Sequence, residues 1–111
     1  MRIVFIYKIT NKINGKIYVG QVYNRSIMDR FKRHCTDAKP DCKMAIDRAI
    51  YKYGVDNFIV EQIDKAENLN ELNKKEIYWI EKLKSNDSKY GYNLTRGGKV
   101  EIHTLIKHQK K

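Results

Sequence analysis

Proline is almost missing from this chain: Pro40 is the single one in 111 residues. It marks a boundary between helical patterns and leaves the segments on either side free of imposed kinks. Cysteine is scarce too. Cys35 and Cys42 are too few for a disulfide framework or a zinc site, so a reducing, intracellular setting is expected. No apolar run approaches the roughly 20 residues of a membrane span, and no segment has the layout of a signal peptide. The expectation is therefore no membrane and no secretion. Acid is the minority charge, with 13 Asp plus Glu against 23 Lys plus Arg and a formal net charge of +10. Such an imbalance points to a polyanionic partner, nucleic acid first and an acidic membrane surface second. A merely soluble basic protein is the bland alternative. The length predicts one domain, large enough to bury about two-thirds of the unfolded chain's surface.

What is present begins with a hairpin pattern. Residues 2–9 (RIVFIYKI) and 17–22 (IYVGQV) are rich in Ile, Val, Tyr and Phe, as strands are. Asn14-Gly15 between them is a hairpin signal, because both residues tolerate the positive φ of a type I′ turn. With that turn, Ile13 pairs with Lys16, and Tyr7 lies opposite Val22, Ile9 opposite Gly20 and Asn11 opposite Tyr18. Side chains alternate along a strand, so Tyr7 and Tyr18 share one face. Gly20 lies on that face and is expected to leave open space above it.

Ser26 followed by Asp29 has the form that caps a helix N-terminus, predicting a helix over 27–38. Its apolar side is Ile27, Phe31, Cys35 and Ala38, with Arg30, Arg33, His34 and Asp37 on the neighbouring side. A second helix is expected over 42–53, ending at Gly54. It would turn Cys42, Ala45, Ile46, Ala49, Ile50 and Tyr53 inward and Lys43, Asp47, Arg48 and Lys52 outward. Residues 57–63 (NFIVEQI) read as a third strand. A third helix over 69–84 carries an inward stripe of Leu69, Leu72, Trp79, Ile80 and Leu83. The same stripe includes Glu76. A carboxylate there needs a cation, a hydrogen-bonding cluster or an open cleft. Residues 99–111 form a basic tail, expected to be a short helix or a frayed end.

These residues also carry a resemblance. Phe5-Ile6-Tyr7 and Tyr18-Val19-Gly20 resemble the paired tripeptides that name the GIY-YIG nucleases. The likeness continues through Arg30 in DRFKRH, Glu76 three residues before Trp79, and Asn93 in Tyr-Gly-Tyr-Asn. It covers residues 3–98 and is nearest the homing-type branch of introns and phages. It implies an α+β fold, a small three-stranded antiparallel sheet flanked by about three helices, over a nuclease domain of residues 1–98. It also implies hydrolysis of phosphodiester bonds in DNA, duplex DNA as the partner, a monomer by default, and one divalent metal ion, Mg²⁺ with Mn²⁺ as a substitute.

By the same resemblance, Glu76 is the sole acidic metal ligand, and Tyr7 takes a proton from the attacking water. A phenol is a poor base at its ordinary pKa, so nearby cations are expected to favour its phenolate. Arg30 offers a planar fork to the phosphate. His34 relays a proton or hydrogen-bonds the phosphate, Tyr18 holds water or phosphate in line, and Asn93 fixes backbone or phosphate geometry. Each residue also has a plain structural reading: packed tyrosines, a solvated face for Arg30 and His34, a lysine partner for Glu76, a turn for Asn93. Phe5 and Val19 depart from the family tripeptides. A second histidine of some homing relatives is replaced in the region of Asp41 and Lys43, and no separate DNA-recognition domain is visible. The other functional class left open is a basic nucleic-acid-binding module that does not cut.

Overall fold

The computed structural model describes residues 4–97, so the basic tail and the expectation of a terminal helix lie outside the described residues. The hairpin comes first, β1 (Val4–Asn11) and β2 (Ile17–Tyr23), followed by α1 (Ile27–Asp37) and α2 (Ala45–Tyr53). A single 3-10 turn (Val55–Asn57) leads into β3 (Phe58–Lys65), and α3 (Leu69–Leu83) completes the order. The sheet has the order β2-β1-β3, with β1 in the middle and antiparallel to both neighbours. This is the expected α+β class.

The hairpin forms, but its register differs from the one a type I′ turn would set. Tyr7 pairs with Gly20, Ile9 with Tyr18 and Phe5 with Val22. The connection is a longer loop, closed by Asn11 N donating to Lys16 O at 2.9 Å and Gly15 N donating to Asn11 O at 2.7 Å. Its two asparagines hold it by local bonds: Asn11 Oδ1 accepts from Ile13 N at 2.8 Å, and Asn14 Oδ1 accepts from Lys16 N at 2.9 Å. Positive φ falls on Gly15 and not on Asn14, whereas a type I′ turn needs it at both. The slip is an even number of residues, so Tyr7 and Tyr18 still share a face.

The helix boundaries follow from caps. Ser26 Oγ accepts from Asp29 N at 3.0 Å and starts α1 where the S-x-x-D pattern places it. In contrast, α2 starts at Ala45 and not at residue 42, because Cys42 and Lys43 stay outside the helix with their carbonyls bound by Arg48 Nη1 at 2.6 and 3.1 Å. Gly54 ends α2 at φ 93°. Asn68 Oδ1 caps α3 by accepting from Glu71 N at 2.9 Å. β3 runs to Lys65, beyond the expected residue 63, because Asp64 and Lys65 continue pairing with Ile6 and Phe5 past a bulge at Ile6/Tyr7.

Two apolar layers result. Tyr7, Ile9, Tyr18 and Val22 pack with Ile46, Ala49 and Ile50 of α2, with Ile27 and Phe31 of α1 at the margin. Val4, Ile6 and Val19 on the other face pack with Leu72 and Ile80 of α3. The alternation of β1 and β2 thus decides which helix each side chain meets.

Candidate active site

The centre of the site is a buried chain of three polar groups. Tyr7 and His34 are 0% exposed and Asp47 is 3% exposed. His34 Nε2 lies 2.9 Å from the Tyr7 hydroxyl, and His34 Nδ1 lies 2.6 Å from Asp47 Oδ1. A carboxylate accepts and does not donate, so Nδ1 carries a proton toward Asp47. With the ring neutral, Nε2 is then the acceptor facing the Tyr7 hydroxyl. Asp47 was expected on the exposed side of α2; it is instead buried against α1. Helical periodicity alone could not find it, because it sits beside Ile46 and Ile50 on the rim of the apolar face. The available signal was its spacing on α2 combined with a histidine on the neighbouring helix.

Tyr18 stands beside this chain. Its ring centroid is 6.2 Å from that of Tyr7 and 5.4 Å from that of His34, the latter edge-on. Burial pushes the Tyr18 phenol up to about 12, with Glu76 adding to the rise and Arg30 opposing it. Burial also raises Tyr7 well above its ordinary value, with Tyr18 and Glu76 adding and Arg30 opposing. Among the protein's own groups, the expected pull of nearby cations toward a phenolate is outweighed: removal from water raises both phenols more than the single guanidinium lowers them. The space expected above Gly20 is not open either. A Cβ there would stand 2.4 Å from Tyr7 Cζ and from its hydroxyl, so the Tyr7 ring lies directly on this glycine.

Arg30, half-buried on α1, is near enough for its charge to act on both phenols. Glu76 acts on both as well, yet it arrives from α3 on the other side of the sheet, 5% exposed. Gln21, which follows Gly20 and so points to the α3 side, donates Nε2 to Glu76 Oε1 at 2.9 Å and to Asn73 Oδ1 at 3.0 Å. Gly97 closes over the same carboxylate, since a Cβ there would be 3.1 Å from Glu76 Oε1. Gln21, Asn73 and Asp47 are the polar partners that sequence reasoning missed.

Asn93 lies at the outer edge of β2. Its Nδ2 donates to Val19 O at 2.9 Å, and its Oδ1 accepts from Val19 N at 2.8 Å and from Ser85 Oγ at 2.7 Å. The amide is taken up by the backbone of β2, which positions the strand bearing Tyr18 and Gly20. The structure therefore gathers Tyr7, Tyr18 and His34 at one point with the charges of Arg30 and Glu76 around them, and places Asn93 at the outer edge of β2, in the wall of a cavity that Tyr18 also lines.

This arrangement can be compared with known proteins. The family model for the GIY-YIG catalytic domain matches residues 3–93. The chain belongs to the GIY-YIG family. It is 33% identical over 107 residues to intron-associated endonuclease 1 of Enterobacteria phage T4, an alignment covering 90% of this chain and 41% of that protein. It is 38% identical over 114 residues to the segB protein of the same phage, covering 96% of this chain and 46% of that protein. The chain thus spans less than half the length of these curated relatives. A solved structure of the catalytic domain of intron endonuclease I-TevI, in a mutant form, superposes with a TM-score of 0.73 at 27% identity, covering 87% of this chain and 97% of that one. A second structure of the I-TevI catalytic domain gives a TM-score of 0.67 at 28% identity, covering 83% of this chain and 98% of that one.

Proposed function

We propose that this GIY-YIG chain is a divalent-metal-dependent endonuclease domain, residues 1–98, that hydrolyses phosphodiester bonds in duplex DNA. The observation that carries the reading is the buried Tyr7–His34–Asp47 chain placed where Arg30 and Glu76 both act on the phenol. Burial favours the neutral phenol, and in this reading Tyr7 serves as a proton conduit. In hydrolysis the attacking water passes a proton to the Tyr7 oxygen as the Tyr7 proton moves to His34 Nε2, and Asp47 stabilises the imidazolium that forms. Tyr18, less deeply buried than Tyr7, holds water or phosphate in line by its hydroxyl. Arg30 offers guanidinium donors to the charge developing on the phosphate. Asn93 keeps β2 in place beneath these groups.

The donor set fits a hard cation. Among the described residues no group of three or more His, Cys, Asp and Glu could cage a metal. One carboxylate, with waters and substrate oxygens, is a sufficient site for Mg²⁺, and Mn²⁺ would substitute. Glu76 would hold the ion, with Gln21 fixing its Oε1. When bound, the metal supplies Lewis-acid stabilisation of the departing oxygen. An intracellular setting and a monomeric state complete the reading.

The test is nicking of supercoiled plasmid with Mg²⁺ or Mn²⁺, with and without a chelator. The wild type is expected to nick, chelation to abolish nicking, and Glu76→Gln to lower the single-turnover rate by about 10³-fold with DNA binding retained. A wild type that binds DNA and never nicks with either ion leaves the basic binding module as the function. A Glu76→Gln variant that cuts at the normal rate removes the metal role from Glu76.

A further inference from the structure

One groove beside the site is not used by the chemistry above. It is a cavity of about 480 Å³ walled by the hairpin tip (Asn14, Lys16), by α2 (Arg48, Lys52) and by the segment around Tyr92. Ala45, Asn93, Leu94 and Tyr92 also line a smaller cavity of about 60 Å³ that reaches Tyr18. The groove therefore adjoins a cavity that Tyr18 lines. We propose that it carries the sugar–phosphate backbone of the DNA duplex next to the scissile phosphate, with Lys16, Arg48 and Lys52 as the phosphate contacts.

Charge supports this occupant. Three cations line the groove and no carboxylate does. Among the described residues none of the three pairs with an acid, whereas Lys75 on α3 is matched to Asp64 and Glu71. Two of the ammonium groups rest against aromatic rings, Lys16 Nζ 6.0 Å from the Tyr92 centroid and Lys52 Nζ 5.2 Å from that of Tyr53. Such contacts are weak at exposed sites and yield readily to a phosphate. The walls are fixed as well. The Tyr92 hydroxyl accepts from Asn11 Nδ2 at 3.0 Å and from Asn14 Nδ2 at 3.2 Å, which ties the hairpin tip to the segment crossing it. Arg48 is braced by its bonds to the carbonyls of Cys42 and Lys43. Phosphate contacts of this kind set register on the duplex and carry no base information.

The placement next to a scissile phosphate rests on the nuclease reading; binding in the groove does not. The test is the salt dependence of duplex binding by the full chain in a Glu76→Gln background. The double variant K16Q/K52Q should lower the slope of log K against log salt by about 1.8, near 0.9 for each lost phosphate contact. The pair K74Q/K82Q, on exposed positions of α3, should leave the slope unchanged. Neutral methylphosphonates at the phosphates beside the nick should weaken binding of the parent protein more than that of K16Q/K52Q, which keeps only Arg48 as a groove contact. An unchanged slope in K16Q/K52Q, or an equal fall in K74Q/K82Q, overturns the groove. A wild type that never nicks while K16Q/K52Q still loses slope upholds the groove and removes the catalysis.

Discussion

At the scale of single residues, the proposed chemistry turns on Asp47 and the two phenols. Asp47→Asn keeps the size of the side chain and removes the charge that holds His34 Nδ1–H. Its single-turnover cleavage rate should fall by about 10²-fold, within the range of general acid–base contributions, with DNA affinity unchanged. Rate and affinity measured side by side would separate this from a folding defect. The phenols make a second prediction, about alkaline stability. An exposed tyrosine in the unfolded chain titrates near 10, and Tyr18 in the fold is pushed up to about 12. The native state therefore holds a proton that the unfolded state releases in that window. The stability is fully present below pH 10 and is lost between about 10 and 12, at about 1.4 kcal/mol per pH unit for each such phenol. Denaturant melts across that range should show a shallower fall for Tyr18→Phe than for the wild type. An equal fall would mean that Tyr18 is not the group responsible. Glu76 was legible in the sequence because a carboxylate on an apolar stripe violates the pattern. Asp47 was not, since a carboxylate among charged neighbours on α2 violates nothing until α1 is brought against it.

The informative element is the hairpin. Its existence and its two strands were readable from composition and alternation. Its register was not, and the shared face of Tyr7 and Tyr18 held because the observed slip is an even number of residues. Asn-Gly signals a turn, but whether the loop takes two residues or more depends on what the asparagine side chains bind, and both Asn11 and Asn14 bind backbone within the loop. The same limit applies to α2, whose start depends on Arg48 reaching the carbonyls before it. By contrast the start of α1 was readable to the residue, because Ser26 and Asp29 form a local cap that needs no tertiary partner. The observed register makes Gly20→Ala a sharp test. The new methyl would meet the Tyr7 ring at 2.4 Å, too close for contact, so the ring must shift from His34. Overpacking of this kind costs about 1–3 kcal/mol. Thermal melts should show that loss, and cleavage should fall further than the lost stability explains. A Gly20→Ala variant with wild-type stability and rate would show that Tyr7 does not need its seat on the glycine.

For the whole molecule, the sheet is a partition between two helical layers, and the candidate site lies where side chains from both layers meet near β2. Tyr7, Tyr18, Arg30 and His34 come from one side, Glu76 from the other, and Gln21 reaches across by being next to Gly20 in the chain. A residue list cannot reveal that division; strand alternation combined with the order β2-β1-β3 does. Because β2 is an outer strand, its outward backbone groups need partners. Ile17 N donates to Tyr90 O at 3.1 Å, Tyr92 N donates to Ile17 O at 2.9 Å, and the Asn93 amide takes both backbone groups of Val19. The first half of the strand that bears the second tyrosine motif, from Ile17 to Val19, is thereby closed to other chains. Exposed strand edges are templates for self-association, so Asn93 is also a guard against aggregation. Asn93→Ala should form light-scattering aggregates on heating at protein concentrations where the wild type stays clear. Loss of cleavage in any Asn93 variant would then have to be measured on the soluble fraction before it is ascribed to chemistry.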